Sequence, residues 1–338
     1  TVLNIFLIKR KPSANVNGFL ITSFCLNLLL SYLPKFTMKN FLFVLSAVVF
    51  IFLLSCKSQA QKNSNVIEVQ AHRGDRGFYP ENTLSAFYSA IDKGADVIEL
   101  DLVISKDKKV VVSHDTFMHS AYISWPNGKP VTNEEQKKSN LYQMTYDSIR
   151  SFDAGLRTNP AFPDQKSVKS YKPLLSEMID SIENYIVKNN KQRIRYNIEI
   201  KSGSGDYGIK QPKPEEFADL VLKVIQEKKI EKLSNVQSFD PNILNAVHKK
   251  APKIVIAFLT GDKSLDQNLA KLDFKPQIYA PHFGLVNSAL IDSVRAKNMR
   301  IIPWTVNDQK DIDAMIALKV DGIITDYPDR VIEKLKAN

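Results

Sequence analysis

Cysteine is scarce: the 338-residue chain has two, Cys25 and Cys56. Two thiols make neither a disulfide-stapled scaffold nor a cysteine-rich zinc module. Acidic residues are absent from the first 55 positions, which hold five basic ones, Lys9, Arg10, Lys11, Lys35 and Lys39. The net charge of +10 is therefore uneven, and the remainder carries 41 basic against 36 acidic residues. No dense basic run accompanies it, which argues against a nucleic-acid partner. No uninterrupted apolar run reaches the roughly 20 residues of a simple membrane span. No G-x-G-x-x-G follows the first strand-like run, which argues against a dinucleotide site there. What is present, 44% hydrophobic and 24% charged residues, suits a soluble globular protein with a sizeable core. The length fits two domains, or one large α/β barrel with an extension.

Met38-Lys39-Asn40 precedes an apolar run from Phe41 to Leu54, broken by Ser46. A basic start, a short apolar stretch and small residues after it read as a secretory signal peptide. The ending Leu53-Leu54-Ser55-Cys56 resembles a bacterial lipobox, in which the cysteine is lipidated. An ordinary cleaved signal or an uncleaved anchor is the alternative. Residues 38–56 are thus expected to direct export, and 1–37 to be upstream sequence from a mis-assigned start. The polar stretch 57–65 reads as a tether, and the folded part is expected over 66–338. The expected location is the periplasm or cell surface of a bacterium, with the membrane engaged through the N-terminal lipid or signal anchor.

From there on, short apolar runs alternate with amphipathic stretches. Strands are expected at Val66–Ala71, Asp96–Leu102, Arg195–Ile200, Asn235–Phe239, Ile254–Leu259, Ile278–Ala280, Arg300–Thr305 and Gly322–Thr325. Helices of about ten to fifteen residues fit between them, the pattern of a parallel sheet. Eight such pairs predict an α/β fold, a closed (β/α)8 TIM barrel, with an open doubly wound sheet as runner-up. A hairpin is expected over Val103–Ser113. The stretch 115–172 has little periodicity and reads as an insertion after strand two, a small cap on the active face.

Residues i and i+2 of a strand share a face. Glu99 and Asp101 are therefore neighbours at the end of strand two, and a hard divalent cation would relieve their repulsion. Asn197, Glu199 and Lys201 alternate likewise on strand three. A polar row inside a barrel is costly unless something is bound. Glu199 could be a third carboxylate ligand; Lys201 could meet a substrate oxygen or pair with Glu199. His72 ends strand one beside Arg73, and His114 follows the hairpin. Histidine exchanges protons near neutral pH, and the planar guanidinium of Arg73 suits phosphate. His282 is a candidate for the pocket lining, whereas His119 and His248 read as surface or structural. Asn82 is expected to cap the first helix. Trp304 could wall the pocket or fill the barrel core.

Ala71-His72-Arg73-Gly74, Pro80-Glu81-Asn82-Thr83, Glu99-Leu100-Asp101 and His114-Asp115 together resemble the signature of the glycerophosphodiester phosphodiesterase family. Asn197-Ile198-Glu199-Ile200-Lys201, Gln237-Ser238-Phe239, Pro303-Trp304-Thr305-Val306-Asn307 and the run from Asp321 to Pro328 are similar to its later strand ends. The resemblance covers about Val66 to the C-terminus. It implies a TIM barrel with its site at the strand C-termini. It implies one divalent cation, Ca2+ or Mg2+, on Glu99, Asp101 and Glu199, with His72 and His114 as the acid/base pair. It places Arg73 and Lys201 on the oxygens of a small glycerophosphodiester, which is cleaved to sn-glycerol 3-phosphate and an alcohol. Rivals are a lysophospholipase D acting on longer lipids, a phosphoinositide-cleaving lipase, and a lipoprotein that binds glycerophosphodiesters without cleaving them. Two retained histidines argue against the last.

Overall fold

The structure is a computed structural model, and it describes residues 67–262 and 264–337. The expected signal peptide, lipobox and tether lie outside the described residues. No helix among the described residues is long and apolar enough to cross a membrane.

Parallel strands form in the expected places: β1 (Glu68–Ala71), β2 (Val97–Ile104), β4 (Arg195–Ile200), β5 (Ser234–Ser238), β6 (Val255–Thr260), β7 (Ile278–Pro281), β8 (Arg300–Ile301) and β9 (Gly322–Thr325). They run side by side in the order β8-β7-β6-β5-β4-β2-β1-β9. Backbone hydrogen bonds join the two ends of that row. Asp321 N donates to Ile301 O, Ile324 N to Pro303 O, and Val306 N to Ile324 O. The result is the expected (β/α)8 barrel. β8 is shorter than expected because Pro303 has no N–H to give to a ladder. The hairpin also forms as expected: β3 (Val110–Val112) pairs antiparallel with the end of β2, Ile104 opposite Val110.

Helices return between the strands, beginning with α1 (Leu84–Lys93) and, after the insertion, α4 (Leu175–Lys188) and α5 (Pro214–Glu227). Ile198 and Ile200 of β4 point outward and are fully buried with Phe217, Val221 and Ile182 of these helices. Burying one such side chain contributes about 1.5–3 kcal/mol. Across the barrel interior, Ala257, Ile278, Ile302 and Ile324 form a small apolar plug with Trp304 against it. The opposite interior wall is polar. Asn197 Nδ2 donates to Gln70 Oε1 at 2.7 Å and to Gln237 Oε1 at 3.0 Å. Gln237 Nε2 in turn donates to Glu99 Oε1 at 2.9 Å, so a buried hydrogen-bonded column leads up to the barrel mouth.

The insertion carries two short helices, α2 (Asn133–Lys138) and α3 (Tyr146–Arg150), and an apolar core of its own. Met118, Ile123, Leu141 and Ile149 close over Val103 and Val111 of the hairpin. Its first residues, Asp115 to Tyr122, run along the rim of the barrel mouth.

Candidate active site

β2 and β4 are adjacent and in register, Glu99 beside Asn197 and Asp101 beside Glu199. That register carries the three carboxylates to one point. Ligand oxygens of Glu99, Asp101 and Glu199 all lie within 4.8 Å of one another, and all three residues are buried. Burial, then Asp101 and Glu199, pushes the Glu99 carboxyl well above its ordinary range. Burial pushes Glu199 up too, against the pull of Lys201. Asp101 goes the other way: burial opposes its charge, but Arg73, His114 and Lys201 outweigh that and hold it far down. Asp101 Oδ2 accepts from Asn82 Nδ2 at 2.8 Å. Its Oδ1 is buried with no hydrogen-bond partner among the described residues. Lys201 Nζ stands 3.8 Å from that Oδ1 and 2.7 Å from Glu199 Oε1. An all-oxygen donor set with an unpartnered buried oxygen fits a hard divalent cation.

Arg73 is held from both ends. Its backbone N–H donates to Glu99 Oε2 at 2.9 Å, and its side chain meets Glu81 at 3.0 Å and Asp101 at 3.3 Å. Its φ of 55° is left-handed, a region a non-glycine residue seldom occupies. Gly74 follows at φ 85°, where a Cβ would sit 2.8 Å from Ala86. Close packing of this turn on α1 therefore demands glycine and presents the guanidinium to the mouth.

The two histidines reach the same cavity from different elements. His72 Nδ1 bonds Asp326 Oδ1 at 2.7 Å, and Asn307 Nδ2 steadies Asp326 Oδ2 at 2.7 Å. A carboxylate on Nδ1 fixes the proton there and leaves Nε2 as an acceptor in the neutral ring. Burial, aided by Arg73 and Arg76, lowers the His72 pKa below 6.5 although Asp326 pulls it up. His114 Nδ1 bonds Asp115 Oδ1 at 3.0 Å, and Tyr122 OH donates to Asp115 Oδ2 at 3.0 Å. A cavity of about 110 Å³ has His72, His114, Arg73, Glu99, Glu199 and Lys201 in its lining.

The structure thus gathers His72, Arg73, Glu99, Asp101, His114, Glu199 and Lys201 at one mouth. Trp304 is both wall and plug: it lines the cavity, its Nε1 donates to Ala280 O at 2.9 Å, and its ring meets Phe239 edge-on. His282 does not line that cavity; it backs Trp304 at a 5.3 Å ring distance. His248 stacks on Phe274, whereas His119, read as surface or structural, lines a neighbouring cavity. The cap of α1 needs correction. Thr83 is the N-cap, its side chain accepting from Ala86 N, while Asn82 is turned inward onto Asp101. Roles for Asp326, Asn307 and Gln237 were not read from the sequence. Their signal was position: Gln237 lies near the end of β5, Asp326 directly follows β9, and Asn307 lies on the loop after β8.

A family model for the glycerophosphoryl diester phosphodiesterase family matches residues 72–330. The chain belongs to this family. Among its curated relatives is the glycerophosphodiester phosphodiesterase of Caldanaerobacter subterraneus, 30% identical over 79% of this chain and 97% of that protein. A lysophospholipase D of Homo sapiens is 24% identical over 77% of this chain and 83% of its own length. Among solved structures, one described as a putative glycerophosphoryl diester phosphodiesterase from Silicibacter pomeroyi superposes with a TM-score of 0.73 at 28% identity. It covers 81% of this chain and 95% of its own. A phosphodiesterase of Oleispira antarctica, solved with sn-glycerol 3-phosphate, shares the fold at a TM-score of 0.63 and 20% identity, over 80% and 97% of the two chains. As a glycerophosphoryl diester phosphodiesterase family member, the chain is an enzyme, a hydrolase of phosphoric diesters.

Proposed function

We propose that the enzyme hydrolyses glycerophosphodiesters to sn-glycerol 3-phosphate and a free alcohol. The observation that carries this is the cluster of three buried carboxylates, two of which line one small cavity together with two carboxylate-held imidazoles. Glu99, Asp101 and Glu199 would hold one divalent cation, Ca2+ or Mg2+, which supplies positive charge to phosphate oxygens as the transition state forms. Arg73 orients the phosphate through its guanidinium, and Lys201 exchanges its pairing with Glu199 for a phosphate oxygen. Trp304, with Phe239 and Leu259, offers an apolar wall to the glycerol carbons.

His72 begins neutral and takes the proton of the attacking oxygen at Nε2; Asp326 stabilises the imidazolium that results. The attacker is water or the glycerol 2-hydroxyl. As the new P–O bond forms, the bond to the alcohol breaks, and His114, steadied by Asp115, delivers a proton to the departing oxygen. With the 2-hydroxyl as attacker, the cyclic phosphate is then opened by water with the two roles exchanged.

The test measures glycerol 3-phosphate release from several diesters. EDTA is expected to abolish it and Ca2+ or Mg2+ to restore it; release undiminished by EDTA rejects the cation. His72→Ala and His114→Ala are each expected to lower turnover about 10²–10⁴-fold with the melting temperature little changed. A longer lipid is a second reading, favoured by Phe239, which is 43% exposed at the rim. Lysophospholipids belong in the same assay. Export as a lipoprotein is also proposed, on the Leu53-Leu54-Ser55-Cys56 ending. Mass spectrometry of the mature N-terminus should find a lipidated Cys56, and an intact leader rejects it.

A further inference from the structure

A second cavity, of about 210 Å³, adjoins the first on the insertion side. The two share Arg73 and His114, the residues proposed to hold the phosphate and to protonate the departing oxygen. Whatever alcohol leaves through His114 has this space beside it. Arg76, His119, Tyr122 and Asn159 are also among its walls.

The chemistry of that lining is one-sided. Its acids are already engaged: Glu81 pairs with Arg73 at 3.0 Å and with Arg76 at 2.7 Å, and Asp115 holds His114 and Tyr122 OH. Its donors are not used up. Arg76 gives Nε to Glu81, sets one terminal nitrogen 3.5 Å from Asp326 and lays its guanidinium 4.4 Å from the Phe162 ring centroid; its other terminal nitrogen has no hydrogen-bond partner among the described residues. His119 Nδ1 accepts from Ala121 N at 3.1 Å, which places the ring's N–H at Nε2, and Nε2 has no hydrogen-bond partner among the described residues. Asn159 Oδ1 accepts from Ala161 N at 3.0 Å, and its side-chain N–H groups have no hydrogen-bond partner among the described residues. None of these three nitrogens is among the buried atoms without partners, so each is open to the solvent or to a ligand. Three half-buried side chains therefore offer N–H donors, while the carboxylates are already ion-paired or hydrogen-bonded.

We propose that this cavity receives the leaving alcohol and selects an oxygen-rich head group without a positive charge, a polyol, over an ammonium head group. The inference rests on the hydrolase reading above and adds the substrate class. A polyol hydroxyl accepts from each free donor, whereas a quaternary ammonium accepts no hydrogen bond and leaves those donors unmatched. A third cavity, of about 310 Å³, also touches His114 and has Phe117 and Phe239 in its lining. Aromatic faces there would suit a quaternary ammonium instead.

The experiment compares kcat/KM for glycerophosphoinositol and glycerophosphocholine, using the whole purified protein with Ca2+ or Mg2+. The wild type is expected to prefer the inositol diester at least tenfold. His119→Phe combined with Asn159→Leu is expected to reduce that preference at least fivefold, with thermal melting showing the variant folded. A less disruptive pair, His119→Gln with Asn159→Asp, keeps the shape but turns Asn159 into an acceptor, and should reduce the preference as well. A wild-type preference for choline, or a preference unmoved in both folded variants, overturns the subsite. No turnover of any diester, with any cation, overturns the hydrolase reading and the subsite together.

Discussion

Asp326 reaches His72 across 254 residues of sequence and faces a ring whose burial works against its charge. Burial also opposes the carboxylate, but His72, Arg76 and Asn307 outweigh it and hold Asp326 down to about 2. The sign of its influence on catalysis follows. Burial keeps the His72 pKa below 6.5 and Asp326 raises it within that limit. On the proposed mechanism, the acid limb of kcat/KM lies below pH 6.5, and Asp326→Asn moves it further down. The same variant should lower kcat, because an amide stabilises the imidazolium less than a carboxylate does. A pH–rate profile of both proteins checks this; an upward shift rejects the assignment of that limb to His72. Gly74 is the second test at this scale. Gly74→Ala must place a methyl group against Ala86 at φ 85°, and should cost about 1–3 kcal/mol in a urea melt.

At the scale of the element, β2 and β4 explain how much of the site was legible beforehand. Period-two alternation put Glu99 with Asp101 and Asn197 with Glu199 and Lys201, and the parallel register then brought the two rows together as expected. What alternation could not show was the partner each carboxylate takes inside the barrel, since Gln237 and Asn82 come from other segments. The entry to α1 shows the same limit. Asn82 and Thr83 are both good caps by residue type, and the choice between them was made by Asp101, which claims the Asn82 side chain. Thr83→Ala should therefore cost about 1 kcal/mol of stability with little change in turnover. Asn82→Ala should instead lower kcat/KM. Paired melts and assays distinguish the two, and reversed outcomes restore Asn82 as the cap.

At the scale of the whole molecule, eight strand and helix pairs were enough to indicate the barrel. Its curvature and closure were not readable residue by residue, because they depend on pairings between distant segments. The insertion illustrates this. It lacks periodicity because its helices are short and its core is built on the hairpin, yet it supplies His119, Tyr122 and Asn159 to a cavity beside the reaction centre. The acidic cluster has a global consequence as well. Like charges converge in a buried place, so a cation that binds the folded form alone should stabilise it, by about 2.7 kcal/mol at a hundredfold excess over Kd. Thermal melts with EDTA and with Ca2+ or Mg2+ should show a clear rise on metal addition. Glu99→Gln should blunt that rise, and identical curves in all conditions speak against an ion at this spot.

β1 lies between β2 and β9, so the first described strand and the last are paired along Glu68–Ala71 and Gly322–Thr325. His72 follows one of these strands and Asp326 the other, which makes the dyad a product of the seam. A chain still being synthesised has neither the seam nor the dyad. Turnover after dilution from denaturant therefore reports seam formation, and should lag behind the recovery of helical signal.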